Sequence, residues 1–216
     1  DVNRGWFVGK DISAIWDHEF IGIWQEDEAE EAAKYGQQPG DAKVRDVNGD
    51  YKITQEDKVF LGQETPKFRW SFRNEFTLFR NWDISLNLYS QMGHKQSTTE
   101  YLNFFDNLGD YSNTYKREYW TPENKSNSYA RLKSTRPSNI NPKKVINKGF
   151  IRLENISVSY RVPQQFARKL MAKEISIYGT VRNVAVWAFD KEWDYWDPET
   201  KGLLPRTFTF GASITF

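Results

Sequence analysis

Apolar and polar residues alternate along several stretches of the chain, and this period of two predicts β-strands. In the closing stretch TFTFGASITF, one side of the predicted strand carries Phe208, Phe210, Ala212, Ile214 and Phe216. The other side carries only threonine, glycine and serine. The same alternation predicts strands over 68–78, 82–92, 150–162, 174–187 and 205–216. Each of these strands therefore needs a nonpolar surface for its apolar side.

The connections between the predicted strands alternate between short and long. A turn at residues 79–81 joins the first two strands and a compact segment joins the third and fourth, whereas the loops 95–149 and 188–204 are long. In an antiparallel meander this order places the short turns at one end and the long loops at the other, as in outer-membrane barrels. Such barrels need about eight strands or more, so we expect further strands upstream of Asp1.

The third predicted strand contains an irregularity. Its apolar residues change phase near Glu154 and Asn155, which predicts a β-bulge.

Composition narrows the classes of function. Aromatic residues make up 16% of the chain, yet the mean hydropathy is −0.77, which fits strands with apolar residues at alternate positions. The net charge of +1 gives no field that would favour nucleic acid or an anionic membrane surface. Cysteine is absent, which excludes disulfides and thiolate metal sites. No apolar run approaches the roughly 20 residues of a transmembrane helix.

A candidate calcium site lies at residues 46–57, DVNGDYKITQED. Oxygen-bearing side chains occupy loop positions 1, 3, 5 and 12, the spacing of an EF-hand loop. The predicted ligands are Asp46, Asn48, Asp50, the Lys52 carbonyl and Asp57. Position 6 is Tyr51, where the sharp turn prefers glycine, so Tyr51 needs a positive φ for the loop to follow this path.

A second candidate site is the aromatic loop WAFDKEWDYWDPET, residues 187–200. Trp193, Tyr195 and Trp196 are candidates for stacking on a sugar ring. The alternative is an interfacial aromatic girdle or packing within the loop, which we favour. The loop also contains the acidic residues Asp190, Glu192, Asp194, Asp197 and Glu199. Glycosidases use two acids that flank the scissile bond, but spacing within one loop does not establish such a pair.

Several motifs together resemble the C-terminal region of the SusC/RagA-type TonB-linked outer-membrane transporters. Residues 35–72 run from YGQQPGD through DVNGDYKITQED to PKFRWSF, in the order of that region. Further similarities are GIWQ, FIRLENISVSYRVP, RNVAVW, the DPE at 197–199 and the closing PRTFTFGASITF. The resemblance covers nearly the whole chain, and Tyr51 is its clearest departure.

The resemblance implies an all-β fold: the C-terminal antiparallel strands of a large transmembrane β-barrel with long extracellular loops. Residues 1–67 would form a mostly extracellular segment with the calcium-like loop 46–57, and residues 68–216 would hold about five barrel strands. The implied location is the bacterial outer membrane. The implied partners are a SusD-like surface lipoprotein, TonB through a part outside these residues, outer-membrane lipid, and oligosaccharide or peptide cargo. Phe216 would belong to the signal for barrel assembly, and no enzymatic activity is expected.

Two other classes remain open at this stage. A secreted β-sandwich would bind carbohydrate through its tryptophan-rich loops and use calcium to stiffen one of them. A glycan-degrading enzyme would need two convergent acids from different strands. In the barrel, a set of charged residues would face the hydrated interior: Arg69, Arg73, Glu75, Asp83 and Arg182.

Overall fold

The computed structural model describes residues 5–98, 118–193 and 196–216. Their contacts divide the chain into two compact units. Unit 1 contains the described residues up to Thr65 and those between Lys95 and Ile146. Unit 2 contains residues 66–94 and the described residues from Asn147 to Phe216. The predicted division at residue 67 thus differs from the structure, because part of the predicted loop 95–149 belongs to unit 1.

Eleven strands and two short α-helices are present in the described residues. The strands are β1 Ala14–His18, β2 Phe20–Ile23, β3 Ala42–Val44, β4 Lys58–Gln63, β5 Phe68–Leu78, β6 Trp82–Met92, β7 Lys95–Thr98, β8 Lys144–Asn147, β9 Phe150–Arg161, β10 Glu174–Ala188 and β11 Thr207–Thr215. The helices are α1 Ala29–Lys34 and α2 Gln164–Ala167. Within the described ranges, neither these nor any other helix has the length and apolar content to cross a membrane.

Unit 1 is built from pairs of short strands around a small core. β1 pairs with β4, β2 with β3, and β7 with β8. The core consists of Ile23, Ala42, Trp120 and Ala130, so residues from both parts of the unit share it. The buried Asp41 carboxylate joins the same parts, since it accepts hydrogen bonds from Arg131 Nε at 2.9 Å and Thr135 N at 2.8 Å. The second segment is therefore needed to complete this core.

Unit 2 is one antiparallel sheet with the strand order β11-β10-β9-β6-β5. The β5–β6 turn places Phe79 and Arg80 at φ of +51° and +65°, as tight hairpin turns require. The register between β6 and β9 shifts by one residue at a single position. Asn87 pairs with Asn155, and the next residue of β6, Leu88, pairs with Leu153. Glu154 is the extra residue, and the predicted bulge is confirmed.

The sheet presents one apolar face and one polar face. Cross-strand rows such as Ile84, Val158, Gly179 and Phe210 lie on the apolar face. Threonine, serine, asparagine and charged side chains, including Arg69, Arg73, Glu75, Asp83 and Arg182, alternate onto the polar face. Several apolar-face side chains are largely exposed: Phe68, Phe72, Ile177, Phe208, Phe210 and Ile214. In water, an exposed apolar surface this extensive would be unfavourable.

Candidate functional site

The loop at residues 46–57 is folded by hydrogen bonds to its own backbone. Asp46 accepts hydrogen bonds from Gly49 N at 2.7 Å and Tyr51 N at 2.9 Å. Asn48 accepts one from Asp50 N at 3.0 Å, and Asp50 accepts one from Lys52 N at 2.8 Å. The side chains of three predicted ligands therefore fold the same sharp turn.

The far end of the loop is closed by Asp57, which is fully buried. Its two carboxylate oxygens accept hydrogen bonds from Val47 N at 2.9 Å and Thr54 N at 2.7 Å. Thr54 also contacts β1, because its carbonyl oxygen lies 2.6 Å from Nε2 of the buried His18. Asp57 thus joins the two ends of the loop, and His18 attaches the loop to β1.

Hydrogen bonding also affects proton affinities in this loop. Burial raises the pKa of Asp46, but the backbone N–H groups of Gly49 and Tyr51 outweigh it and leave the pKa lowered. Burial, together with the hydrogen bond that its hydroxyl donates to Asp46, raises the pKa of Tyr35 to about 12. Asp46 is therefore a carboxylate and Tyr35 a neutral phenol at neutral pH.

The donor chemistry of the loop fits calcium, because all predicted ligands offer hard oxygen atoms. Within the described residues, however, no three acidic or histidine side chains are arranged to hold a metal ion. The carboxylates are turned toward backbone N–H groups instead. Calcium therefore stays a prediction for this loop.

Tyr51 has the positive φ that the loop path demands, at +61°. A residue with a Cβ atom is disfavoured in this conformation by roughly 1–2 kcal/mol. Its ring packs against Tyr35, with centroids 5.6 Å apart, and lies 4.8 Å from Lys34 Nζ.

We expect Tyr51→Gly to be more stable toward local opening than Tyr51→Ala by about 1 kcal/mol. Both variants lose the ring contacts, and only glycine removes the backbone strain. Hydrogen exchange of peptides that cover residues 46–57 measures the opening free energy. Equal protection in the two variants would show that the positive φ carries no cost.

The loop after β10 is attached to the polar face of the sheet by a cluster of polar groups, of which Arg152 and Asp197 are buried. This Arg152 cluster consists of Tyr89, Gln91, Arg152, Asp197 and Glu199. Arg152 Nη2 donates to Asp197 at 2.6 Å and lies 3.5 Å from Glu199, and Arg152 is only 2% exposed. Glu199 accepts hydrogen bonds from the Tyr89 hydroxyl at 2.5 Å and Gln91 Nε2 at 3.0 Å.

Asp197 also shapes the turn that contains it. Its Oδ1 accepts hydrogen bonds from the backbone N–H groups of Glu199 and Thr200, both at 3.0 Å. Burial raises the pKa of Asp197, but the Thr200 N–H and the Arg152 guanidinium more than compensate, so the pKa is lowered. The DPE motif at 197–199 is therefore an attachment point for the loop, a role that the sequence did not reveal.

The predicted aromatic residues of this loop occupy different surroundings. Trp193 is partly buried, and its indole N–H donates to the Asn147 carbonyl at 2.7 Å. Trp196 is 41% exposed, and Tyr195 lies outside the described residues. Trp193 thus packs within unit 2, and Trp196 is the described residue of the three that is open to a ligand.

The acids of the loop have structural partners. Asp190 accepts hydrogen bonds from Asn147 N and Glu192 N, each at 3.1 Å. Asp197 is paired with Arg152. Asp194 lies outside the described residues.

Aromatic side chains lie near both ends of the apolar face. Trp82 packs on Tyr160 near the short turns, with ring centroids 4.7 Å apart. Trp70 and Trp187 belong to a row near the opposite end. Trp82 and Met92 are the first and last residues of the eleven-residue β6. At about 3.4 Å per residue and a tilt of about 40°, such a strand spans a height of about 25 Å, which matches the apolar band of membrane barrels.

Phe216 follows β11 and is 73% exposed. Its role in assembly stays a prediction.

Comparison with known proteins gives two kinds of similarity. TonB-dependent receptor P26 of Formosa agariphila is 25% identical over 234 residues, which cover 99% of this chain and 24% of the receptor. TonB-dependent receptor P3 of the same organism is 23% identical over 96% of this chain and 22% of the receptor. The chain therefore spans about a quarter of the length of these curated relatives. No protein-family model matches it.

Solved structures share the fold. The RagAB peptide importer in its open-open state superposes with a TM-score of 0.61 at 14% identity, over 94% of this chain and 22% of that chain. Its closed-closed state gives a TM-score of 0.59 at 15% identity, over 94% of this chain and 23% of that chain. The fold is thus all-β and matches part of these outer-membrane transporters.

These similarities support one class of protein, since the chain is similar to a region of SusC/RagA-like TonB-dependent transporters. The resemblance seen in the sequence is confirmed, and so is the outer-membrane location. The exposed apolar face of unit 2 fits this location.

Proposed function

We propose that this chain is part of a TonB-dependent transporter that imports oligosaccharides or peptides across the outer membrane together with a SusD-like surface lipoprotein. The observation that carries the proposal is the five-stranded sheet with one exposed apolar face, in a chain similar along 99% of its length to a TonB-dependent receptor. The relatives are named as receptors and importers, which supports a role without enzymatic activity.

The alternative of a secreted β-sandwich is not favoured. In a sandwich the apolar side of one sheet packs against a second sheet. In unit 2, Phe210 is 81% exposed and Phe208 is 59% exposed on that side. The described part of the unit contains one sheet, and lipid is the partner that its apolar face fits.

Uptake measurements test the import proposal. Cells that express the protein would accumulate a labelled oligosaccharide or a labelled peptide only when TonB is functional, and the protein would purify with a surface lipoprotein. Running both cargoes in parallel assigns the cargo class. If uptake of the oligosaccharide and of the peptide persists without TonB, import that depends on TonB is ruled out.

We also propose that residues 46–57 bind calcium in the assembled protein. The support is the hard-oxygen spacing and the turned path at Tyr51. Calcium would contact Asp46, Asn48, Asp50, the Lys52 carbonyl and Asp57, and would stiffen the loop by neutralising its carboxylates.

Calcium at about 100 times its dissociation constant should stabilise the loop by about 2.7 kcal/mol. Hydrogen exchange of peptides that cover residues 46–57, with calcium and with a chelator, measures this effect. Asp50→Asn should reduce the difference, and Glu64→Gln, an exposed acid outside the loop, should retain it. Identical exchange with calcium and chelator in the unmodified protein would exclude a calcium site here.

A further inference from the structure

Unit 1 contains a cleft of about 460 Å³ that the proposals above do not use. β2, β4, β7 and β8 contribute to its walls. This volume falls in the range of small-molecule sites, about 300–1,000 Å³. Four cationic side chains and one carboxylate line it: Arg45, Lys95, Lys143, Lys144 and Glu19. Cationic side chains therefore outnumber acidic ones in the lining, although the whole chain has a net charge of only +1.

The single carboxylate of the lining does not neutralise the cleft. Glu19 is already paired with Arg45 at 3.0 Å. Lys143 is attracted by Asp17, which lies outside the lining, and Lys144 lies 5.6 Å from the centre of the Tyr129 ring. For Lys95, the described part of the chain provides no ion-pair partner.

Two glycines leave space for the side chains of Lys95 and Asn127 in the wall of the cleft. Gly62 has φ +145°, and a Cβ atom there would lie 2.7 Å from Lys95 Cδ. Gly22 has φ +143°, and a Cβ atom there would lie 2.5 Å from Asn127 Oδ1. The Lys95 stem and the Asn127 amide thus lie directly over backbone that carries no side chain.

The Asn127 amide has a defined orientation in this position. Its Oδ1 accepts a hydrogen bond from Ile23 N at 2.8 Å. The Nδ2 group is therefore a donor at the cleft. Together with the lysine ammonium groups, the cleft offers mainly donors and positive charge.

We propose that this cleft binds a small organic oxyanion, a carboxylate or sulfate group, through Lys95, Lys143 and the Asn127 amide. Charge-assisted hydrogen bonds from ammonium groups to such anions are stronger than those to neutral hydroxyls. A neutral ligand of the same size would give the Lys95 ammonium group no counter-charge. A sugar acid and an acidic peptide are two sources of such a group, and the titration distinguishes them. The inference concerns unit 1 alone and does not depend on import.

Calorimetric titration of the protein purified from outer membranes in detergent tests the inference. The probes are glucuronate, glucose 6-sulfate, an acidic dipeptide and, as the neutral reference, glucose. At least one acidic probe should bind ten times more tightly than glucose, and high salt should weaken its binding because screening reduces charge attraction. Binding of sugar acids alone, or of the dipeptide alone, identifies the source of the anion.

Variants separate a charge effect from a folding defect. Lys95→Gln keeps most of the stem over Gly62 and should weaken acid binding by about 10- to 100-fold, the loss of one charge-assisted hydrogen bond. Lys95→Arg should bind nearly as the unmodified protein does, and Lys34→Gln, whose lysine pairs with Glu31 away from the cleft, should be unchanged. Gel mobility before and after heating checks that each variant is folded.

Equal binding of glucose and all acidic probes, or no binding of any probe, would overturn the inference. An equal effect of Lys95→Gln and Lys34→Gln would overturn it as well. Because neither TonB nor a lipoprotein takes part in the titration, a negative result here leaves the uptake experiment unaffected.

Discussion

Replacing Arg152 by Met should destabilise unit 2 by about 3–5 kcal/mol, since removal of one partner leaves the other charge buried and unpaired. Asp197, 7% exposed, would lose its 2.6 Å hydrogen bond from the guanidinium. Glu199 would lose the same positive charge at 3.5 Å. The loop that contains both acids should then detach from the sheet.

Urea unfolding of the protein in detergent measures the loss of stability. Limited proteolysis near residues 196–203 measures the detachment of the loop. Arg161→Met is the matched control, because Arg161 lies in the same strand and pairs with Asp83 at 3.0 Å, but both side chains are more than 40% exposed. Exposed pairs of this kind contribute at most about 1 kcal/mol. Similar losses in the two variants would contradict a special role for the buried pair.

A double-mutant cycle tests the cause of the loss. Asp197→Asn keeps an acceptor for the Glu199 and Thr200 N–H groups and removes the charge. The double variant Arg152→Met/Asp197→Asn should therefore be more stable than the sum of the single effects predicts. Strict additivity would mean that the two side chains act independently.

Phe208→Arg should reduce stability in the membrane by about 2–4 kcal/mol, the cost of a cation on the lipid side near the middle of a barrel. Phe208 is paired with Val181 in a central row of the apolar face. In a water-soluble protein the same change at a 59% exposed position would have an effect within about 0.5 kcal/mol. The prediction thus separates a lipid-facing sheet from a solvated one.

The neighbouring Thr209 provides the control, because it alternates onto the polar face and pairs with Thr180. Thr209→Arg should have a much smaller effect in lipid bilayers. Unfolding in bilayers, with both variants prepared in parallel, gives the comparison. Equal stability of the two variants would exclude lipid contact at Phe208.

The sequence predicted the sheet of unit 2 because its two faces meet different surroundings. A strand between lipid and a polar interior must alternate, and alternation is visible in a single sequence. The Glu154 bulge was visible for the same reason, as a break in the period. The positive φ of Tyr51 could be predicted because Tyr51 occupies loop position 6, where the backbone turns sharply and glycine is preferred.

Contacts between remote residues left no comparable signal. Asp41 and Arg131 are 90 positions apart, and Arg152 and Asp197 are 45 apart. Neither pair has a spacing that a strand or helix period would indicate. Residues 118–146 do not alternate between apolar and polar, so a loop was predicted there. In the structure, Trp120 and Ala130 of this segment belong to the core of unit 1. The burial of Asp197 was not predicted, because burial of a charged residue depends on partners that the sequence does not display.

At the bulge, neighbouring strands use different numbers of residues to cover the same distance along the sheet. At this level β6 advances by one residue, β9 by two and β10 by three, from Arg182 to Ala185. Deleting Glu154 alone would remove the bulge and leave Arg152 and Leu153 on their present sides, because Leu153, Asn155 and Ile156 would then alternate regularly opposite Leu88, Asn87 and Leu86. β10 has two residues more than β6 here, so its alternation is unbroken. Over evolutionary time, insertions and deletions in β10 should therefore be accepted in twos, whereas β9 can lose the single residue Glu154 without exchanging the sides of its other residues.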